Sequence, residues 1–279
     1  MTAPSRNEPA VSPNEPNASS SDDRPTESRP ENPDVALCGI EPDADGTYPV
    51  ADRHVAMPVR IRRARMASAT FAVPTGAAER ILEPVGLRPA VQGGRSLVVL
   101  ALVKYDDGDL DSYDELGLAF AVDPPSGEPP VARGSMATYI HRLPVDQAFT
   151  CEAGRGIWGF PKWIADLRVT IEGDAATATL RNADGTPAVE IGLRRGRVPV
   201  PSRPLTMVCY SRGDDGRLRR TSWTTRTRGM RALVGRGASV TVGQGPFADE
   251  LRALGFPRRP VATMVSRSME ASFDQPVVL

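Results

Sequence analysis

The sequence predicts a mostly β (α+β) fold, in which a bent antiparallel sheet closes into a conical barrel with a few covering helices. Three observations carry this. From about residue 50 onward, short runs of β-branched and apolar residues alternate with Gly, Pro and Asp turns. These runs are too many for one flat sheet, and bending or closure is what buries inward side chains and removes exposed edges. The composition, 40% apolar and 24% charged over 279 residues, suits one sizeable core.

Taken in order, residues 1–46 are rich in Pro, Ser, Asn, Glu and Asp and poor in large apolar side chains. Such a segment cannot bury enough surface to offset its ordering entropy, so a disordered tail is expected there, followed by a single domain over 47–279. A helix is expected over 75–82, where Ala77, Ala78, Ile81 and Leu82 share a side and Pro84 follows the end. Strands are expected over 96–105, 117–122, 135–142, 164–172, 175–181, 189–193, 207–211, 238–242 and 261–268. A second helix begins at Pro246, carries Asp249 and Glu250 in its early turns, and stops at Gly255.

Charge and motifs exclude several classes of function. Lys plus Arg and Asp plus Glu both total 34, so nothing in the net charge attracts nucleic acid or an anionic membrane. The longest apolar run, Leu97 to Val103, is far shorter than the roughly 20 residues of a membrane-spanning helix. The polar N-terminal stretch lacks a signal-peptide apolar region, and the expected location is cytoplasmic. Cys38, Cys151 and Cys209 form neither a disulfide framework nor a metal knuckle. The acidic stretch from Asp106 to Glu115 superficially suggests a calcium loop, but Ser112 stands where the glycine belongs and Leu118 where the bidentate Glu belongs. His54 and His141 are the only histidines, and no phosphate-binding glycine motif or GxSxG turn is present. No metal and no cofactor is therefore expected; the expected partner is a small molecule.

One segment points to chemistry. Only Lys104 and Lys162 are lysine among 34 basic residues, so each is a candidate for work that guanidinium cannot do. Lys162 follows Pro161 and sits among Ile157, Trp158, Phe160, Trp163 and Ile164. Proline fixes the approach of the chain to it. An ammonium walled by such neighbours would be poorly solvated, which favours the neutral amine. A free lysine lies roughly 3.4 units above neutral pH, a cost of about 4.6 kcal/mol that the site must supply. A neutral amine can attack a ketone, and the resulting iminium is an electron sink. The same residues also suit a lysine whose stem packs on tryptophan while its head reaches water.

The segment GRGIWGFPK resembles the lysine motif of the acetoacetate decarboxylase family. Tyr113-Asp114-Glu115 is similar to that family's Tyr-x-Glu, and Tyr139-Ile140-His141 resembles its Tyr-x-His. The resemblance covers about residues 60 to 275. It implies that Lys162 is the Schiff-base nucleophile, that Glu115 orients or exchanges protons with the intermediate, and that Arg65 binds or polarises a substrate carboxylate. It further implies a pocket walled by Trp158, Phe160, Trp163, Tyr113 and His141, the last as a wall residue or a structural hydrogen-bonder, and an oligomeric protein. Three departures stand out: Trp163 replaces the family's second lysine, Gly156 replaces a glutamate, and a second acidic pocket residue falls on Ala101. The expected function is a Schiff-base lyase acting on a small oxo acid, first a decarboxylase of a 3-oxo acid such as acetoacetate. An aldolase-dehydratase acting on pyruvate-like acids and a non-catalytic metabolite-binding module are the alternatives.

Overall fold

Buried side chains alternate with exposed or half-buried ones along the strand Val59–Pro74, broken at Arg62–Arg63, where its pairing register shifts, and at Arg65–Met66, where the buried side changes. That slip of register turns Ala64 and Met66 toward the face that Val59 and Ile61 already occupy, and sends Arg65 and Ala67 to the other. The strand pairs with Arg95–Gly108, which pairs with Tyr113–Asp123, then Ala137–Val145, Leu205–Arg212 and Leu218–Arg228. Pairing of Leu218–Arg228 with Ala262–Phe273, and of the latter with Val59–Pro74, closes a seven-stranded barrel. All neighbours are antiparallel except Ala137–Val145 and Leu205–Arg212. This computed structural model describes residues 39–131 and 135–279.

A separate four-stranded sheet, Asp166–Glu172, Ala175–Arg181, Pro187–Arg194 and Ala238–Val242, lays its inward Leu, Val, Ile and Ala side chains against Ala67, Phe71, Leu100, Leu102, Leu116 and Phe120. The helices α1 (Thr75–Leu82) and α3 (Pro246–Ala253) cover the same core, as Leu82, Phe247 and Leu251 show. A second core lies on the opposite face of the barrel strands and joins Val103, Tyr105, Tyr113, Leu143 and Val145 to a third helix, α2 (Ala148–Trp158). The sequence reading missed α2 and the strand Leu218–Arg228, and had Val59–Pro74 only as the entry strand that the resemblance implies.

The described chain begins at Gly39, so the expected tail up to residue 38, and Cys38 with it, lies outside the described residues. Residues 39–46, assigned to that tail by composition, are held: the Gly39 and Ile40 amides both donate to the Gly156 carbonyl. The acidic stretch is a set of ion-pair partners, with Asp106 bound to Arg65, Asp107 and Asp109 to Arg62, and Asp111 to Arg53. No helix among the described residues is long and apolar enough to cross a membrane.

Candidate active site

The barrel register brings Glu115 and Lys162 together. Val103, Glu115 and Val145 are cross-strand partners, and Leu143 is paired with Lys162 on the short strand Lys162–Ile164. Partners in register share a face, so Glu115 lies beside the lysine over a floor of Val103, Leu143 and Val145. The Lys162 Nζ stands 2.9 Å from Glu115 Oε2, donates to Thr150 Oγ1 at 3.0 Å, and lies 4.8 Å from the centre of the Tyr113 ring. The whole residue is 4% exposed. Glu115 is held from its other oxygen: the Tyr105 hydroxyl donates to Oε1 at 3.0 Å, and the Tyr105 and Tyr113 rings stack at 4.1 Å.

Helix α2 supplies Thr150 and makes room for the lysine. Its N-cap is Gln147, whose side chain accepts from the Thr150 amide, and it ends on Gly159 in the left-handed region at φ 64°. A Cβ on Gly154 would sit 2.6 Å from Lys162 Cδ and 2.8 Å from Cε, so the stem of the lysine crosses the helix where a side chain is missing. The Gly-x-Gly of the motif is thus a groove. Gly154→Ala is expected to push the amine off Glu115, to slow trapping of a carbonyl adduct about a hundredfold, and to lower stability by about 1–3 kcal/mol. Timed borohydride reduction and urea unfolding test both, and an unchanged trapping rate would show that the groove does not position the amine.

Electrostatics overturn one expectation. Burial pushes the Lys162 amine down, as anticipated, but the Glu115 carboxylate and the Tyr113 hydroxyl outweigh it and the net direction is upward. The resting amine is an ammonium in an ion pair, not a neutral nucleophile. Burial pushes Tyr113 up to about 12 and Tyr105 well above the ordinary phenol value, so both phenols keep their protons.

Several residues expected at the site lie elsewhere. Arg65 pairs in register with Lys104, and Lys104 with Asp114, one row away from Met66, Val103 and Glu115. Adjacent rows point to opposite faces, so the guanidinium is across the sheet from the lysine. There it grips Asp106 with two nitrogens at 2.6 and 3.1 Å and donates to the Ile171 carbonyl at 3.2 Å. With Asp114, which accepts from the Val169 amide at 2.7 Å, it ties off the edge of the four-stranded sheet. Arg65→Ala is expected to cost about 1–2 kcal/mol in urea unfolding and to leave adduct trapping on Lys162 unchanged; slower trapping would return Arg65 to the site.

Trp163 also points away, because side chains alternate along Lys162–Ile164; its ring packs toward Phe247 of α3 at 6.3 Å. His141 bonds Glu250 of α3 at 3.0 Å and lies against Phe120. That makes it the structural hydrogen-bonder of the two roles foreseen, and not a pocket wall. Trp158 and Phe160 stack at 5.8 Å in the same apolar cluster as Leu143, but the Trp158 indole donates to the Asp274 carbonyl, and the amine's own neighbours are Glu115, Thr150 and Tyr113. Tyr113 is where it was expected. Thr150 and Tyr105 were missed, since nothing in their local sequence marks them; only the period-2 match of Tyr105 to Tyr113 across one hairpin hints at the second.

The fold and the site together are a closed seven-stranded barrel with a lysine buried against a carboxylate. Residues 47–277 match the family model described as acetoacetate decarboxylase, and the chain belongs to that family. Among solved structures, the acetoacetate decarboxylase of Legionella pneumophila subsp. pneumophila str. Philadelphia 1 is similar at a TM-score of 0.60 and 16% identity, over 81% of this chain and 88% of that one. The enduracididine biosynthesis enzyme MppR complexed with pyruvate gives 0.59 and 16%, over 80% and 92%. An acetoacetate decarboxylase-like enzyme from Sphingomonas wittichii RW1 gives 0.53 and 14%, over 88% and 100%. At such identities the likeness establishes the fold. No curated protein matches the sequence.

Proposed function

We propose that the protein is a lyase in which Lys162 forms a Schiff base with a small 3-oxo acid and releases carbon dioxide. The observation that carries the reading is the buried Nζ held 2.9 Å from Glu115 Oε2 in a chain of this family. As substrate enters, its carboxylate and Glu115 compete to be the anion beside one ammonium, and two close carboxylates cannot both stay charged without cost. The Lys162 proton passes to Glu115. The freed amine attacks the ketone carbon, the hydroxyl of the resulting carbinolamine takes the proton back from Glu115 and leaves as water, and the nitrogen lone pair closes the protonated imine. The bond from the α-carbon to the carboxylate then breaks, its electron pair moves to the imine nitrogen, and carbon dioxide departs. A proton delivered to the resulting enamine carbon and hydrolysis by water return the free lysine and a ketone.

The surroundings support carboxylate loss. Met66, Ala101, Val103, Leu143 and Val145 share the face of Glu115, and the Ala101 methyl lies beside Gly117 where the resemblance puts a second acid. A carboxylate drawn against such a wall is poorly solvated and is relieved by leaving as a neutral gas. The test is incubation with acetoacetate or pyruvate, borohydride reduction, and peptide mass spectrometry. The expected result is an adduct on Lys162 with acetoacetate together with carbon dioxide release. An adduct with pyruvate but no carbon dioxide from acetoacetate would replace decarboxylation with aldol chemistry, and no adduct with any small oxo acid would leave a binding module.

A further inference from the structure

Glu115 is gripped at both oxygens by different partners. Oε2 meets the Lys162 ammonium, and Oε1 accepts the Tyr105 hydroxyl. Tyr105 is 3% exposed, so this bond is made without water to replace it, and its ring is fixed by stacking on Tyr113. We infer that Tyr105 is a positioning residue for the amine chemistry: its hydroxyl holds the Glu115 carboxylate so that Oε2 alone faces Lys162, and by sharing the carboxylate's charge it sets how tightly the resting ammonium is held. The inference rests on the proposed use of Lys162 as a nucleophile.

When Lys162 titrates against solvent, a buried carboxylate is left without its cation. What remains to stabilise it is the Tyr105 donor, and a hydrogen bond to an ionised group is about twice as strong as a neutral one. The titratable neighbours are few. Tyr105 and Tyr113 face the pair from the barrel, and Cys151 of α2 faces Lys162, itself in the fields of Arg155 and Glu152. Burial pushes the Cys151 thiol up, so it does not stand in for Tyr105 as an anion partner. Without the hydroxyl, the bare carboxylate is worse off and the ammonium keeps its proton to higher pH.

The experiment exploits the presence of only two lysines in the chain. Lysine labelled with nitrogen-15 at Nζ gives two side-chain signals, and Lys104→Arg identifies that of Lys162. In Tyr105→Phe, which retains the ring stack, the Lys162 midpoint is expected to rise by about one pH unit. The pH dependence of adduct trapping should move with it, and kcat should fall more than KM changes. Placing 3-fluorotyrosine at position 105 keeps the volume, strengthens the donor and should shift both in the opposite direction, which also serves if the phenylalanine variant does not fold. Ile61→Val, buried in the same core but without a polar atom, is the control for general repacking. An unmoved Lys162 midpoint and trapping profile in both position-105 variants would overturn the assignment. A shifted midpoint in a protein that traps no carbonyl would keep Tyr105 as the partner of Glu115 and reject the nucleophile itself.

Discussion

Lys162→Ala is expected to eliminate the borohydride-trapped adduct with every small oxo acid, while Lys104→Met leaves it intact. The contrast follows from where the two amines sit. Lys104 Nζ is half-exposed and bonds Asp114 at 2.7 Å on the far face of the sheet, whereas Lys162 Nζ is enclosed with Glu115 and Thr150. Loss of the ammonium strands a buried carboxylate, so the alanine protein should also be about 3–5 kcal/mol less stable at neutral pH. Urea unfolding measures that, and Lys162→Met, which restores apolar volume without charge, should be no better than partly compensated. Undiminished trapping in Lys162→Ala would end the assignment of this nitrogen as the nucleophile.

Glu115→Gln should invert the pH dependence that the pair gives to stability. In the native protein the amine is raised above its unfolded value of about 10.4 by Glu115. The pair therefore contributes its full stability below that pH and loses it as the pH rises through the native midpoint. With glutamine in place, the largest opponent of burial is gone and the folded amine falls below the unfolded one. The variant is then weakest at neutral and acid pH and regains stability as the pH climbs toward about 10. Breaking a buried pair in this way costs about 3–5 kcal/mol near neutrality. Denaturant unfolding between about pH 6 and pH 10 should give a rising stability in the variant against a flat contribution from the pair in the native protein, and parallel slopes would contradict the ion pair. Trapping should become possible at lower pH yet slower, because the group that receives and returns the proton is gone.

What the sequence revealed and what it concealed have separate physical causes. Helices α1 and α3 were legible because their ends are written in Pro84, Pro246 and Gly255, and the strands 166–172, 175–181 and 238–242 because side chains alternate along them. Helix α2 was hidden by Gly154 and Gly156, which lower helix propensity and make room for Lys162 and for the distant Ile40. The lysine and its glutamate were found through the motif and its resemblance. The charge state of that lysine was not, because desolvation is a local property of apolar neighbours while its opponent is 47 positions away in sequence, between Glu115 and Lys162. Arg65 was misjudged for a different reason. Its face depends on the irregular pairing between Ile61 and Ala64, and a slip of one residue there exchanges the two sides of the strand.

Gly156 carries a consequence for any shortened form of this protein. Ile40 occupies the space its missing side chain leaves, for a Cβ there would lie 2.3 Å from Ile40 Cδ1. Trimming the chain at the start of the matched region, residue 47, would withdraw that plug and uncover the back of the helix whose front presents Thr150 to the amine. A truncated enzyme would keep every residue of its reactive centre and still lose rigidity in it.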